Sequence, residues 1–550
     1  MFIREQVVRK RGTDYRYLKV VENHWEGGQS RQEVLVNLGN VAHWPEGKLE
    51  DAVALLGCFL KLSFAQLKDV RFTDCRQLGP YLPLTQLWSE LGLDKIITNA
   101  LTDVRIELPV ASYVRAMVFN RLVSPGSKKA VWATMEHEAL VPGLTSDALP
   151  LHGYYRVLGY LSNAKPTIEK QLHARLKHLF NQDVSLVFYD LTSSYFEGGC
   201  CEMAKHGYSR DHRPDCVQIQ IGLLVDAQGV PIAHEVFEGN IKETTTVVGV
   251  LDRLKTTFDV KRCIFVSDDG MASAANLKDV ATRGYEYITS LQLGNSILAN
   301  RLLRLLPKRS DFTQLEDNMW IHVLPKEADA RYIASYNVAR ARAVRPKRHA
   351  RMRDCIEQLR ALGEPPEPGR AQRDPQKTLA KADALLRRKG CEHYFRLALD
   401  SEGKLAFRFN TDGMRKARQR EGMMILTTNS ATLTDEEVAR GYRTLWQAEN
   451  AFRHIKDVVA IRPIRHWKDP RVKGHVFICV LAYTLERLLD IRMKEAGLAI
   501  TARAALRELR TITVANLQIE GQTLRRRSDI TTRQRQILKA AGVDNVPEIW

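Results

Sequence analysis

The chain has 550 residues, which is too long for a single hydrophobic core and implies several domains. Its content of 44% hydrophobic and 27% charged residues is typical of a soluble globular protein. The 82 Lys and Arg residues outnumber the 64 Asp and Glu residues, so the formal net charge is +18. Such an excess favours a polyanionic partner, most often nucleic acid, although ribosome association or solubility alone would also explain it.

The sequence gives no indication of a membrane or of an oxidising compartment. The longest apolar run near the C-terminus, Val476–Leu485, is far shorter than a membrane-spanning helix. The first six residues do not resemble a secretory signal. The nine cysteines are odd in number and scattered, which favours free thiols over a disulfide framework. We therefore expect a cytoplasmic protein without a membrane partner.

The first third of the chain divides into two predicted regions. Residues 1–60 predict a β-rich unit followed by a helix, with strands at Tyr15–Val21 and Glu33–Asn37 and a Gly-Gly turn between them. Residues 61–180 show mostly helical periodicity, which is clearest over Ala111–Leu122. A helical region before a catalytic core is a possible DNA-binding region, but no helix-turn-helix is recognisable.

Residues 181–294 alternate between strands and helices. Val184–Asp190 and Arg262–Asp268 are short apolar runs that each end in a carboxylate. Between them, Val217–Val225 and Val230–Phe237 predict a hairpin. A strand, a hairpin and then helix–strand–helix–strand is the order of an RNase H-like sheet with helices on both faces. The predicted fold class is therefore α/β, with this region as the first part of its core.

The pattern is interrupted over residues 295–420 and resumes over 421–495. The interrupting segment contains strand-like pieces near Tyr394–Leu399 and Leu405–Phe409. It also contains a basic run that is either a solvated helix face or a DNA-binding surface. The run comprises Arg340, Arg342, Arg345, Lys347, Arg348, Arg351 and Arg353.

The second core segment begins with a predicted strand at Met423–Thr428, and a further helix is predicted at Val476–Lys494. Between them, the acids Asp435–Glu437 suit the N-terminal turn of another helix because they complement its dipole. Residues 496–550 predict a basic helical tail that includes Arg525–Arg527.

The stretch Tyr442–Lys456 lacks Pro and Gly and predicts one α-helix of about four turns. Tyr442, Glu449 and Lys456 are spaced seven apart, so two helical turns place them on one stripe. If this stripe stood alone, a solvated charge pair on an ordinary amphipathic helix would be the better explanation of it.

Three carboxylates are candidates for one catalytic centre. Asp190 and Asp268 each end a predicted apolar strand, and Glu449 lies on a helix; side chains at strand ends and on a helix that packs over them can converge on one crevice. Each Asp alone could equally be a turn or helix cap. Three carboxylates brought together repel one another unless cations neutralise them, and Mg²⁺ prefers carboxylate and water oxygens. Two such ions can assist an in-line phosphoryl displacement.

Together these segments resemble the DDE transposases of bacterial insertion sequences, in the subgroup with a Tyr-Arg-Glu-Lys signature and an inserted β-strand domain. The resemblance covers roughly residues 184–460. Its motifs are Tyr189–Thr192, His206–Asp215, Phe237–Asn240, Ser267–Met271 and Tyr442–Lys456, together with Asn120–Leu122, Pro125 and Ser127–Lys128.

The resemblance implies an enzyme that nicks DNA and transfers strands at the ends of a mobile element. It implies that Asp190, Asp268 and Glu449 bind Mg²⁺, with Mn²⁺ as a substitute, and that residues 295–420 form the insertion domain. The implied partners are the terminal inverted repeats, target DNA and a second copy of the chain. An RNase H-like nuclease without strand transfer and a non-catalytic DNA-binding relative remain alternatives.

The resemblance also suggests DNA-contacting residues, namely Tyr442, Arg443, Trp446, Arg453 and Lys456. Lys456 and Tyr442 would contact phosphates, whereas Trp446 would either stack on an unpaired base or pack in the core. The signature arginine, four residues before the glutamate, is Leu445 here, so its role passes to Arg443 or Arg453 or is absent. The Asp-x-Gly spacing selects Asp268 over Asp269.

Zinc is a weaker interpretation of one cysteine- and histidine-rich segment. The side chains concerned are Cys200, Cys201, His206, His212 and Cys216. Their spacing matches no standard zinc pattern, and the motif over His206–Asp215 already accounts for the histidines. The sequence also has no Gly-rich phosphate loop, so we expect no requirement for a nucleoside triphosphate.

Overall fold

The computed structural model describes most of the chain, and the helices and strands given below lie within the described residues. The described residues are 2–10, 13–26, 29–40, 70–102, 104–145, 149–179, 186–198, 200–260, 263–271, 273–293, 296–327, 330–364, 374–519 and 522–547.

The strands in these ranges are β1 Phe2–Lys10, β2 Thr13–Glu26, β3 Gln29–Asn40, β4 Val70–Gln77, β5 Leu186–Tyr195, β6 Gln218–Val225, β7 Pro231–Glu238, β8 Ile264–Ser267, β9 Glu286–Ser290, β10 Thr313–Glu316, β11 Met319–Glu327, β12 Ala330–Asn337, β13 Phe395–Leu399, β14 Leu405–Phe409, β15 Met423–Thr428, β16 Thr513–Ile519 and β17 Gln522–Arg527.

The α-helices are α1 Tyr81–Glu90, α2 Leu93–Asn99, α3 Val110–Val123, α4 Lys128–Ala133, α5 Leu151–Leu179, α6 Val247–Thr256, α7 Ala274–Thr282, α8 Ile297–Arg304, α9 Val338–Gly363, α10 Pro375–Arg388, α11 Thr411–Arg420, α12 Asp435–Arg443, α13 Trp446–Arg453, α14 Asp469–Glu495, α15 Ala502–Glu508 and α16 Thr532–Ala540.

The chain forms two compact units. The smaller comprises residues 1–75, 515–527 and 547–550, and the larger comprises 76–514 and 528–546. In the smaller unit, β1, β2 and β3 form an antiparallel sheet, which confirms the two strands predicted near the N-terminus. The predicted Gly-Gly turn at residues 27–28 and the helix predicted after β3 lie outside the described residues.

The prediction of a purely helical tail was wrong. Arg525–Arg527 lies in β17, which belongs to a three-stranded sheet in the order β17–β16–β4. Arginine is a good helix former, and on that basis the basic run was interpreted as helical. Pairing with the Thr- and Val-containing strand β16 overrides this intrinsic preference.

The larger unit is built around a mixed sheet. The described residues give it nine strands in the order β10–β11–β12–β15–β9–β8–β5–β6–β7. Strands β5, β8 and β9 are parallel to one another, and the other neighbours pair antiparallel. The strands and the β6–β7 hairpin predicted over residues 184–290 are therefore confirmed.

Helices cover both faces of this sheet, so its central strands are buried throughout. In β5, Val187, Tyr189 and Leu191 pack with α6 on one face. Phe188 faces the opposite core, which contains residues of α13 and α14. This alternation follows from the two-residue period of a strand and explains why β5 reads as a continuous apolar run.

The longest helices of the larger unit, α5 and α14, pack against each other, and α14 also packs on α3. Helix α3 contains the helix predicted at Ala111–Leu122, and α14 contains the one predicted at Val476–Lys494. Within the described residues, no helix has both the length and the apolar character that crossing a bilayer requires.

The segment 295–420 contributes to the main sheet, which the sequence did not predict. Strands β10, β11 and β12 extend the sheet through the pairing of β12 with β15. The remainder, residues 338–420, has its own small core around Met352, Leu359 and Phe395. The predicted strands near residues 394–399 and 405–409 form the hairpin β13–β14 within it.

Candidate active site

Asp190 and Asp268 lie at the point where two parallel strands stop pairing. The register of β5 and β8 pairs Phe188 with Val266 and Tyr189 with Ser267, so the next residues on each chain are these two aspartates. Asp190 does not end its strand, as the sequence suggested, because β5 continues to Tyr195 along β6. The alternation of β5 directs Asp190 to the same face as Phe188.

Glu449 reaches this face from a helix that packs over β5 and β6. The prediction of one uninterrupted helix over Tyr442–Lys456 was wrong. Helix α12 ends at Arg443, α13 spans Trp446–Arg453, and a π-helical turn follows over His454–Val458. The break forms because Leu445 N–H donates to the Tyr442 carbonyl, a tighter bond than that of an α-helix.

The start of α12 agrees with the sequence. Thr434 caps the helix in a reciprocal capping box with Glu437, and Asp435 and Glu436 also lie in the first turn. These interactions fix where α12 begins, and Tyr442 lies near the end of the same helix.

The three candidate carboxylates interact electrostatically. The pKa of Asp190 is raised to about 6, mainly by burial; Arg210 and the Leu191 N–H lower it, and the charges of Asp268 and Glu449 raise it. The Asp190 side chain is buried, whereas those of Asp268 and Glu449 are exposed. One acid of the group is therefore protonated more readily than an ordinary aspartate.

Arg210 is a site residue for which the sequence suggested no role. Its guanidinium lies 3.5 Å from Asp190 Oδ1 and donates to the Leu191 carbonyl at 2.6 Å. It also forms an ion pair with Glu243, and its backbone N–H donates to Ser193 Oγ at 2.9 Å. Arg210 is thus held against the strand that carries Asp190. Its position inside the motif His206–Asp215 is the feature of the sequence that could have indicated this role.

Asp268 and Glu449 open onto one cavity of about 1130 Å³. Tyr442 also lines it, with its hydroxyl donating to Ser290 Oγ at 2.9 Å and lying 3.5 Å from Asp268 Oδ1. Several cationic side chains from the segment 338–420 line the same cavity. They are Arg340, Arg348, Arg351, Arg396, Lys416 and Arg420.

The other predicted DNA-contacting residues have different surroundings. Trp446 lines the same cavity and is 48% exposed, so it is not a core residue. Arg443 also lines the cavity and forms an ion pair with Glu316. Arg453 is exposed and has no ionic partner among the described side chains.

Lys456 lies in a mostly buried ion pair. Its Nζ donates to Asp211 Oδ1 at 2.6 Å, and Arg462 also pairs with that carboxylate. The side chains of Asp211 and Lys456 are only 2% and 11% exposed. Burial lowers the pKa of Lys456, and Asp211 opposes this effect.

The donor set at the three carboxylates suits a hard divalent cation. Carboxylate oxygens are the ligands that Mg²⁺ and Mn²⁺ prefer, and such a cation would offset both the burial of the Asp190 charge and the smaller repulsion from Asp268 and Glu449. In the described part of the chain, no three His, Cys, Asp or Glu side chains already form a metal-binding cluster. Binding of one cation by all three carboxylates would therefore require these side chains to approach one another more closely than they do here.

Comparison with known proteins identifies the family to which the chain belongs. Residues 182–485, more than half of the chain, match the family described as Transposase DDE domain. Residues 3–54 match the family described as IS1634 family transposase, N-terminal domain. No curated protein matches the chain significantly.

Among solved structures, the chain is similar to a piggyBac transposase in a synaptic complex with hairpin DNA, seen by cryo-EM. The identity is 9%, and the match covers 78% of this chain and 79% of that one. The TM-score of 0.37 is too low for any argument to rest on this likeness.

Proposed function

Because this chain belongs to the DDE transposases of bacterial insertion sequences, we propose that it cuts DNA at the ends of its element and joins the freed 3′ ends to target DNA. The catalytic carboxylates of this proposal are Asp190, Asp268 and Glu449. The fold proposed to hold them is an RNase H-like core made from residues 181–294 and 421–495.

One observation carries the proposal. Two aspartates follow the last paired residues of adjacent parallel strands, and a helical glutamate lies close enough for its charge to raise the pKa of the first. This arrangement joins three chain segments separated by up to 259 positions in sequence, counted from Asp190 to Glu449. Carboxylates that are buried, or that lie close to one another, are unfavourable when no cation neutralises them. The arrangement therefore favours a cation-dependent role over a structural one.

We propose that these three side chains bind Mg²⁺, or Mn²⁺ in its place. Bound there, a pair of such ions would supply activation of the attacking oxygen and charge stabilisation of the leaving oxygen. Arg210 would position Asp190 through its contacts with the Leu191 carbonyl and Glu243. The Tyr442 hydroxyl, close to Asp268, would help to orient that carboxylate or a neighbouring phosphate.

The proposed substrates are the terminal inverted repeats of the element and double-stranded target DNA. The exposed cations that line the cavity beside Asp268 and Glu449 support this part, because they would neutralise phosphates next to the reacting bond; they are Arg340, Arg351, Arg396 and Lys416. Tyr442, Arg443 and Trp446 would add contacts at the same opening, and the exposed Arg453 would add a further DNA contact. Lys456 would contribute less directly, because its ammonium is bound to Asp211.

We propose a homodimer in the DNA complex and a cytoplasmic location, on the nucleoid when DNA is bound. Residues 1–60 and 61–180 are proposed as separate N-terminal regions, the second with a DNA-binding role, and 496–550 as a C-terminal region. The insertion proposed for 295–420 keeps its boundaries, with β10–β12 as the part that joins the main sheet.

A strand-transfer assay tests the proposed function. The purified protein is incubated in Mg²⁺ with a pre-nicked DNA carrying the element end and with a circular target plasmid. We expect the exposed 3′ end to become covalently joined to the plasmid. Hydrolysis of the end DNA without any joined product would instead identify a nuclease. Binding with neither reaction would identify a non-catalytic DNA-binding protein.

A further inference from the structure

A second large cavity lies beside the segment 338–420 and does not contain the candidate carboxylates. It encloses about 1300 Å³ between α8, α9, α11 and the end of β14. Apolar side chains from all four elements line it. Leu306, Ile356 and Met414 are half-buried, and Phe409 is 55% exposed. The cavity is thus partly apolar and accessible.

The rim of this cavity is strongly cationic. Arg304, Lys308, Arg353 and Arg418 line it, and all four are exposed. None of these four side chains has an ionic partner among the described residues, and the described lining contains no Asp or Glu. Unpaired cations gathered around one opening repel one another, so the arrangement favours a polyanionic ligand.

The same two helices separate this second cavity from the one that contains Glu449. In α9, Arg351 lines the carboxylate cavity, whereas Arg353 lines the second cavity. In α11, Lys416 lines the carboxylate cavity, whereas Arg418 lines the second cavity. A DNA strand that leaves the carboxylates can therefore pass over these helices and meet cations on both sides.

The apolar lining distinguishes between forms of DNA. A duplex presents charged backbone and polar base edges and would leave the apolar side chains uncovered. A single strand exposes base faces, which bind to aromatic and apolar side chains while cations hold the backbone. The half-exposed ring of Phe409 lies at the rim, where a base could stack on it.

We propose that this second cavity binds single-stranded DNA, namely the strand separated from its complement next to the cut end. The proposal rests on the proposed function for its biological setting. Arg304, Lys308, Arg353 and Arg418 contact the phosphates, and the apolar lining with Phe409 receives unstacked bases. The site is separate from the catalytic carboxylates and needs no divalent cation.

The test measures DNA binding by fluorescence anisotropy with the full-length protein in EDTA, so that no cleavage takes place. The probes are a labelled single-stranded oligonucleotide and the duplex of the same sequence. The variant R353Q/R418Q removes two rim cations. The matched control R342Q/K347Q removes two exposed cations of α9 that line neither cavity.

For R353Q/R418Q we expect about tenfold weaker binding of the single strand. The slope of the logarithm of the binding constant against the logarithm of the salt concentration should become shallower by about 1.4, because two phosphate contacts are lost. F409A should weaken single-strand binding with little effect on the duplex. Equal affinities of R353Q/R418Q and R342Q/K347Q for the single strand would overturn the proposal, as would an equal loss for both probes in F409A. The proposed catalytic function is tested separately, because these measurements involve no cleavage.

Discussion

Lys456 Nζ lies 2.6 Å from Asp211 Oδ1, and Asp211 is the residue after Arg210, whose guanidinium contacts Asp190. This ion pair connects the turn that follows Glu449 to the loop that holds Asp190. The lysine of the Tyr-Arg-Glu-Lys signature therefore has a structural partner in this chain. Its position indicates that it holds the two sides of the site together.

The first prediction concerns this ion pair. Lys456→Met should lower the free energy of unfolding by about 2–3 kcal/mol and reduce DNA cleavage, because it leaves the buried Asp211 with Arg462 alone. The double variant K456M/D211N should recover most of both losses, since no buried charge then lacks its partner. Denaturant unfolding and cleavage of end-containing DNA measure the two effects.

The double variant also distinguishes between two roles for Lys456. If Lys456 acted only by contacting a DNA phosphate, its loss would reduce DNA cleavage equally in the single and the double variant. Cleavage that stays as low in K456M/D211N as in K456M would therefore contradict the positioning role.

The second prediction concerns Asp190 in the protein without divalent ions. Because the pKa of Asp190 is raised to about 6, its stabilising contribution is complete below the unfolded pKa and is lost as the pH rises through 6. Asp190→Asn should therefore stabilise the metal-free protein by about 1–2 kcal/mol near pH 8, with a smaller gain near pH 4. Thermal unfolding in EDTA measures this difference.

Addition of Mg²⁺ provides the matching control. It should raise the unfolding midpoint of the wild type and have a smaller effect on D190N, since a ligand that binds only the folded state stabilises it. An unfolding midpoint of D190N at or below that of the wild type in EDTA near pH 8 would count against repulsion at the site.

The third prediction concerns Trp446. Because this side chain is nearly half exposed, Trp446→Ala should change the free energy of unfolding by no more than about 0.5 kcal/mol. DNA binding should weaken by about tenfold if the ring stacks on a base. The control is Trp467→Ala, at another exposed tryptophan that does not line the cavity beside Asp268 and Glu449. A large loss of stability in W446A without a change in DNA binding would favour packing instead.

The fourth prediction concerns a buried network between α5, β7 and α6. Glu169 accepts from the His234 backbone N–H at 3.1 Å and from Arg253 at 2.6 Å, and it also pairs with Lys165. Burial would raise the pKa of Glu169, but Lys165, His234 and Arg253 together hold it at about 2. Its stabilising contribution is therefore present above the ordinary glutamate pKa and is lost as the pH falls towards 2.

Glu169→Gln should accordingly cost about 3 kcal/mol near pH 7, and the difference from the wild type should shrink to a small value near pH 2. Denaturant unfolding between pH 2 and pH 7 measures this difference in the free energy of unfolding. Glu402→Gln, at an exposed ion pair, should show no comparable dependence on pH. A difference between E169Q and the wild type that is constant with pH would contradict the assignment.

The sequence was informative wherever a local pattern determined the structure. The apolar runs before Asp190 and Asp268 are strands because their residues are buried on both faces of the sheet. The acidic first turn Asp435–Glu437 marked the start of α12 correctly. These signals need only neighbouring residues, so they can be recognised without knowledge of the fold.

Features that depend on distant contacts were missed. Strands β10–β12 join the main sheet through β15, about 90 positions later in the chain, and no local pattern specifies that partner. The role of Asp211 depends on Lys456 and Arg462, which lie far from it in sequence. The interruption at Leu445 was also missed, because the residues there have ordinary helix propensities.

The most direct test of the central claim compares cleavage of end-containing DNA in Mg²⁺ by D190A, D268A, E449A and the neighbouring control D269A. We predict that each of the first three loses at least about a thousandfold in rate while still binding the DNA, whereas D269A keeps its activity. Normal cleavage by D190A, D268A or E449A would contradict the assignment of these three carboxylates as the catalytic centre.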